Sequence, residues 1–251
     1  MNDIIKLKLT EKSNKKELQY REEVQPTEEE FKSVEQWTSR ITSDGRFDYL
    51  KKIFTKIKFK GTILEIGAGS CWFSSELSKL DSVNKIYCLD FSERIIKDIA
   101  PGIMNYLKAN TNKIIPVVGD FYNLDFKEKM FDMIVVDAAL HHIEDMESAL
   151  IEIKKVLKDD GVIIAIREPI LPKLRKNAEK EFGAHERELG VTEYIYTKKE
   201  WKNLFEKNGF NLEFIPIIPE YNSKYKIINI VPLRYLNGLL FAHYVFRARK
   251  K

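Results

Sequence analysis

Cysteine is nearly absent from this chain of 251 residues, which holds only Cys71 and Cys88. Two thiols cannot frame a disulfide scaffold, and they suit a reducing compartment. No run of about 18 apolar residues occurs, so no segment is expected to span a bilayer. The first 19 residues lack the apolar centre of a signal peptide. Charge of one sign is missing too. Lys+Arg number 42 and Asp+Glu 38, a net +4, and a dedicated nucleic-acid binder shows a larger, clustered excess. No internal repeat or low-complexity tract is present. These absences exclude secreted, fibrous and transmembrane classes and point to a cytoplasmic protein. What remains is ordinary: 44% hydrophobic and 32% charged residues, typical of a soluble domain. The length allows one large domain with additions and a core that needs no metal or disulfide staple.

Residues 1–26 are rich in Lys, Glu and Asn without periodicity, which reads as a mobile or loosely docked arm. Thr27 and Glu30 form a capping-box pattern, followed at helical spacing by Phe31, Val34, Trp37 and Ile41. A second amphipathic stretch covers 47–57. Residues 1–58 therefore read as an arm plus helical cap, and 59–251 as the main domain. There, apolar runs at 62–66, 85–89, 114–118, 131–136 and 162–166 alternate with helical patterns at 71–80, 92–107 and 145–157. Near-continuous apolar strands alternating with helices predict an α/β fold with a doubly wound, mostly parallel sheet. Residues 167–196 interrupt the rhythm and read as a substrate lid. A capping box at Thr197 and Glu200 opens a helix to 208. Strand-like segments at 210–218 and 239–247 bring the sheet to seven strands. The apolar stretch 227–246 admits a peripheral membrane contact, but a loop and the last strand is the reading adopted.

The first strand–helix junction carries the chemistry. In Glu65-Ile66-Gly67-Ala68-Gly69-Ser70-Cys71, the glycines let the main chain turn tightly and approach a ligand without a Cβ between. Asp90, with Phe91 beside it, ends the second strand, where an acid can accept both ribose hydroxyls. Asp120 and Phe121 follow the third strand, where a carboxylate can accept an adenine amino group while the ring packs on the purine. Asp137 ends the fourth strand. Trp72 stands where a dinucleotide site needs a third glycine, and no phosphate-binding loop with Lys exists. Glu65 disfavours a polyphosphate but suits the cationic tail of an amino-acid-bearing nucleoside.

With Glu65-Ile-Gly67-Ala-Gly69, Asp90, Gly119-Asp120-Phe121, Asp137-Ala-Ala-Leu-His141-His142 and the helix and strand around Gly161, the chain resembles the class I S-adenosylmethionine-dependent methyltransferases. The likeness covers residues 60–168 and extends to the closing helix and strands. One departure is Cys71, where many members carry glycine. The resemblance implies a Rossmann-like methyltransferase fold, S-adenosyl-L-methionine as cofactor and in-line methyl transfer that depends on positioning and desolvation. It implies Glu65, Gly67, Ala68, Gly69, Asp90, Phe91, Asp120, Phe121 and Asp137 at the cofactor. His142, or else His141, stands where a general base would serve a hydroxyl acceptor. Glu168, His185, Tyr194 and Tyr196 lie beyond the fifth strand, on the acceptor side. No metal is expected, because adjacent histidines diverge unless the backbone bends.

The acceptor is expected to be a small molecule or a glycan or nucleotide-sugar type, methylated at oxygen or nitrogen. Lys173, Arg175, Lys176 and Lys180 favour an anionic one. Alternatives are a cofactor-binding interaction module without turnover and a nucleic-acid methyltransferase. The latter is disfavoured by Asp-Ala-Ala-Leu in place of an Asn/Asp-Pro-Pro-aromatic signature. A nicotinamide oxidoreductase is opposed by Trp72. Oligomeric state is open.

Overall fold

A computed structural model describes residues 2–171, 184–217 and 243–251. Eight strands form one sheet: β1 (Ile5–Lys6), β2 (Gly61–Ile66), β3 (Val83–Asp90), β4 (Ile114–Val118), β5 (Phe131–Asp137), β6 (Leu157–Ile166), β7 (Phe210–Ile217) and β8 (His243–Lys250). Their order is β1-β4-β3-β2-β5-β6-β8-β7. The pairings among β1 to β6 are parallel, and β8 runs antiparallel to both β6 and β7. This is the doubly wound, mostly parallel α/β architecture expected, with one strand more. The extra strand comes from the arm: Ile5 pairs with Val117 and Lys6 with Val118. Two residues are too short to leave a strand pattern in sequence.

The helices are α1 (Lys15–Gln19), α2 (Val34–Ser43), α3 (Arg46–Lys56), α4 (Trp72–Leu77), α5 (Ala100–Tyr106), α6 (Met146–Val156), α7 (Ala184–Glu188) and α8 (Lys198–Lys207). The Thr27 capping box does not form. Thr27 Oγ1 donates to the Val24 carbonyl instead, and Ser33 caps α2 by accepting from Gln36 N. The Thr197 box forms as expected, with reciprocal bonds to Glu200.

Successive strand residues point to opposite faces, and each face gathers its own core. Leu64, Ile66, Ile134 and Val136 pack with Leu150, Trp201 and Phe205 from α6 and α8. Ile63, Ile86, Met133 and Val135 pack with Trp37, Ile41, Ile53 and Phe73 from α2, α3 and α4. Fully burying one such large side chain contributes about 2–3 kcal/mol. Two covered faces leave the carboxyl ends of the parallel strands as the natural crevice. Residues 172–183, most of the 227–246 stretch and the four basic lid residues lie outside the described residues.

Candidate active site

A cavity of about 550 Å³ opens at the carboxyl ends of β2, β3 and β5. Its floor is the β2–α4 turn. Gly67 and Gly69 take φ of +66° and +49°, and Cys71, at the departure from the glycine pattern, takes +57°. A Cβ on Gly67 would stand 2.5 Å from the Ala139 Cβ. The left-handed backbone and the side-chain-free approach are thus both required. Gly67, Ala68, Gly69, Asp90, Phe91, Phe121 and Asp137 all border the cavity.

Asp90 fastens the turn: Oδ2 accepts from Gly69 N at 2.7 Å and Oδ1 from Ser92 N at 2.9 Å. Each oxygen retains a second lone pair. Burial pushes its carboxyl up, against the hydrogen bonds from Ser92 and Gly69. Asp137 accepts from Trp72 Nε1 at 2.6 Å and from both Nε and Nη2 of Arg167, at 2.6 and 2.8 Å. Arg46 and Arg167 lie over the Trp72 ring at 5.0 and 5.6 Å. The indole therefore forms a fixed wall.

Two expected cofactor contacts are placed elsewhere. Glu65 is fully buried off the cavity, where Oε2 accepts from Ser74 N at 2.9 Å and from Ser74 Oγ. Burial raises its pKa to about 8, so it is a neutral internal acid at pH 7. Asp120 also leaves the cavity wall. Its Oδ2 accepts from Thr10 N at 2.6 Å, from Thr10 Oγ1 at 2.9 Å and from Ser13 Oγ. The arm has taken the position in which an adenine amino group was expected.

That arm is docked along its length, contrary to the expectation of a loose segment. Ser92 Oγ donates to Glu22 at 2.7 Å, and Arg94 donates to the Arg21 carbonyl at 3.1 Å. Glu17, Tyr20, Arg21, Gln25 and Phe31 also line the cavity. Composition gives no sign of this, since a polar aperiodic segment reads as solvated. Trp37 also borders the cavity, where its Nε1 donates to the Phe31 carbonyl.

On the acceptor side, His141 and His142 sit on a 3₁₀ turn, Leu140–His142, and both border the cavity. Glu168 does not face a ligand. It is buried under that turn and accepts from the main-chain N–H of Ala139, Leu140 and His141 and from His141 Nδ1 at 2.8 Å. Burial works to lower the His141 pKa, but the Glu168 bond and the Glu168 and Glu193 charges outweigh it and leave the pKa raised. His142 Nδ1 lies 2.6 Å from the Thr192 carbonyl. Burial, then the neighbouring His141, hold its pKa well below the usual value. Of the two, His141 is the stronger proton acceptor.

Tyr194 and Tyr196 do not border the cavity. Tyr194 is 41% exposed and its N–H donates to the His141 carbonyl. Tyr196 packs edge-on against Trp201 at 4.9 Å, part of a bridge that joins Ile170 to Tyr196. His185 lies in α7, and its side chain is outside the description. Among the described residues after α7, Glu193 borders the cavity, one position before the expected tyrosine. Alternation along an extended segment turned the wrong neighbour inward.

A methyltransferase-domain family model matches residues 64–165, the segment that supplies the β2–α4 turn, Asp90, Asp137 and both histidines. Residues 64–165 thus match a methyltransferase domain, and the fold is that of class I S-adenosylmethionine-dependent methyltransferases. The arginine-hydroxylase NDUFAF5 of Danio rerio is 27% identical over 72% of the chain and 57% of its own length. Its human counterpart matches over only 37% of its length, so the chain spans about half or less of these curated relatives. A demethylmenaquinone methyltransferase of Staphylococcus haemolyticus is 26% identical over 62% of the chain and 70% of its own length. Among solved structures, a chain from the Haloferax volcanii complex of the Trm112 methyltransferase activator with a methyltransferase aligns at TM-score 0.66. It is 15% identical and covers 86% of this chain and 95% of that one, a likeness of fold.

The cofactor of the methyltransferase domain is S-adenosylmethionine, and the cavity suits it. The left-handed glycines make a cradle that a Cβ would fill, and Asp90 supplies acceptors beside it. Among the described residues, no helix is long and apolar enough to cross a membrane.

Proposed function

We propose that the methyltransferase domain transfers a methyl group to a small-molecule or glycan or nucleotide-sugar-type acceptor, at oxygen or nitrogen. The observation that carries this reading is the sharing of one cavity by the glycine turn, Asp90 and the His141–His142 pair. When bound, S-adenosylmethionine supplies an electrophilic methyl. The chain's part is to position and to desolvate. Gly67, Gly69 and Asp90 hold the nucleoside end, and the fixed Asp137–Trp72–Arg167 wall bounds the centre. The histidine turn receives the acceptor's attacking atom. A volume of about 550 Å³ lies within the range of roughly 300–1,000 Å³ usual for small-ligand sites. The buried, unbridged Cys71 and Cys88 support a reducing, cytoplasmic setting.

A second reading has its own support. Relatives named for arginine hydroxylation match the chain, and Glu17 and Glu193 border the cavity. Carboxylates there suit a cationic group such as the side chain of a protein arginine. The test is incubation of the full chain with cell extract and S-adenosylmethionine tritiated at the methyl. Label in the small-molecule fraction is expected, and label in protein would mean a protein acceptor for the methyl group. Hydroxylation transfers no methyl, so the second reading gives no label and instead a protein arginine heavier by one oxygen in mass spectra of the extract. Binding of S-adenosylhomocysteine by calorimetry with neither label nor a hydroxylated arginine overturns turnover and leaves a binding module. Asp90→Ala is expected to weaken that binding at least tenfold, whereas Asp137→Asn keeps it within a few-fold.

A further inference from the structure

The geometry assigns a divalent transition-metal site to His141, His142 and Glu193, at the acceptor end of the cavity. The 3₁₀ turn does what adjacent histidines ordinarily cannot: it sets the two rings side by side, with centroids 4.2 Å apart and planes 37° from parallel. One ligand atom from each of the three side chains lies within 4.8 Å of the others. His141 Nε2 stands 3.5 Å from Glu193 Oε2. That is long for a strong charge-assisted hydrogen bond. It is close to the roughly 3.4 Å between two ligands that each lie about 2.1 Å from a tetrahedral ion.

The supporting groups are those a metal site uses. His141 Nδ1 is held at 2.8 Å by Glu168, itself locked by the main-chain N–H of Ala139, Leu140 and His141. His142 Nδ1 lies 2.6 Å from the Thr192 carbonyl and 3.6 Å from Glu193 Oε1. In His141, the Glu168 carboxylate on Nδ1 fixes the tautomer and leaves Nε2, on the Glu193 side, as ligand. Charge agrees. Glu17, Glu168 and Glu193 crowd this corner with their side chains at most 8% exposed, and Arg21 is 3.5 Å from Glu17. A divalent cation offsets the excess of negative charge. Glu17 Oε1 lies 3.6 Å from His142 Nδ1, on the edge of the same corner. Two imidazoles and a carboxylate suit Zn²⁺, Fe²⁺, Mn²⁺ or Co²⁺ rather than Ca²⁺ or Mg²⁺. Three protein ligands leave a position open on the cavity side.

The role of the ion rests on the reading of the cavity given under Proposed function: it would hold an oxygen of the acceptor next to the methyl donor's place. The site itself does not rest on it. The experiment uses the full chain, stripped with a chelator and titrated with Co²⁺ alone, read by the visible d–d bands and by calorimetry. One ion per chain is expected, with Glu193→Gln or His142→Gln weakening it at least tenfold and Glu168→Gln about tenfold through ring orientation. A cooperative thermal melt, measured on each variant, reports folding separately. A wild-type chain that binds S-adenosylhomocysteine but shows no Co²⁺ bands overturns the metal site alone. So does full Co²⁺ affinity in both ligand variants. Co²⁺ binding without S-adenosylhomocysteine binding overturns the methyl-transfer reading and keeps the site.

Discussion

An ionised carboxylate offers about two acceptor positions on each oxygen, and three donors from Thr10 and Ser13 of the arm crowd onto Asp120 Oδ2, while Oδ1 accepts Tyr122 N at 2.9 Å. A side chain so engaged secures the arm. Asp120→Ala is therefore expected to release residues 2–14, seen as faster limited proteolysis there and a melting temperature lower by several degrees. If the arm stays protected while S-adenosylhomocysteine affinity alone collapses, Asp120 is a cofactor contact after all. Glu65 is the contrasting case, a buried acid without a charge at pH 7. Its folded pKa is about 8 against 4.5 unfolded, because burial penalises the anion. Between those values the folded state holds a proton that the unfolded state has lost. Stability contributed by this group is thus full below about pH 4.5, falls as pH rises toward 8, and is flat above. Glu65→Gln is expected to flatten the pH dependence of the melting temperature across that window, and an unchanged slope would refute the buried neutral acid.

At the scale of elements, the strands were legible because a parallel sheet covered on both faces demands near-continuous apolar runs, and those runs are in the sequence. The β2–α4 turn was legible because only glycine enters φ of +66° at no cost. Gly67→Ala should fail on two counts, the backbone and a contact at 2.5 Å with Ala139. A stability loss of about 1–2 kcal/mol, with S-adenosylhomocysteine affinity down at least tenfold, is the expected outcome in paired melting and calorimetry. The two capping boxes show where local pattern stops. Thr197 and Glu200 bond reciprocally, and Thr197→Ala should cost about 1 kcal/mol. The same spacing at Thr27 and Glu30 is overridden, because Ser33, three residues before Gln36, caps the helix that carries Trp37 into the core. Glu168 was misread for a related reason. Its place at a strand end suggested a ligand, but three main-chain donors of the 3₁₀ turn needed an acceptor in the interior.

For the whole molecule, the decisive feature is one that no periodicity announces: the polar arm lines the cavity. Glu17, Tyr20, Arg21 and Gln25 line the same cavity as the glycine turn. Each arm contact is long-range in sequence, from Leu7 on Val118 to Glu22 on Ser92, so none leaves a local signal. Yet little of the sheet depends on the arm, because β1 adds two residues at an edge and both core faces are built from later elements. Binding and folding should therefore separate on truncation. A chain lacking residues 2–26 is expected to keep its far-ultraviolet circular dichroism and a cooperative melt. It is also expected to lose S-adenosylhomocysteine affinity by tenfold or more, because one wall of the site and its shield from water are gone. Retained affinity would mean that the strand ends alone hold the nucleoside and that the arm is packing only. Loss of the cooperative melt would mean that the arm belongs to the folding unit. The same truncation removes Glu17 but leaves His141, His142 and Glu193, so Co²⁺ binding should weaken without disappearing.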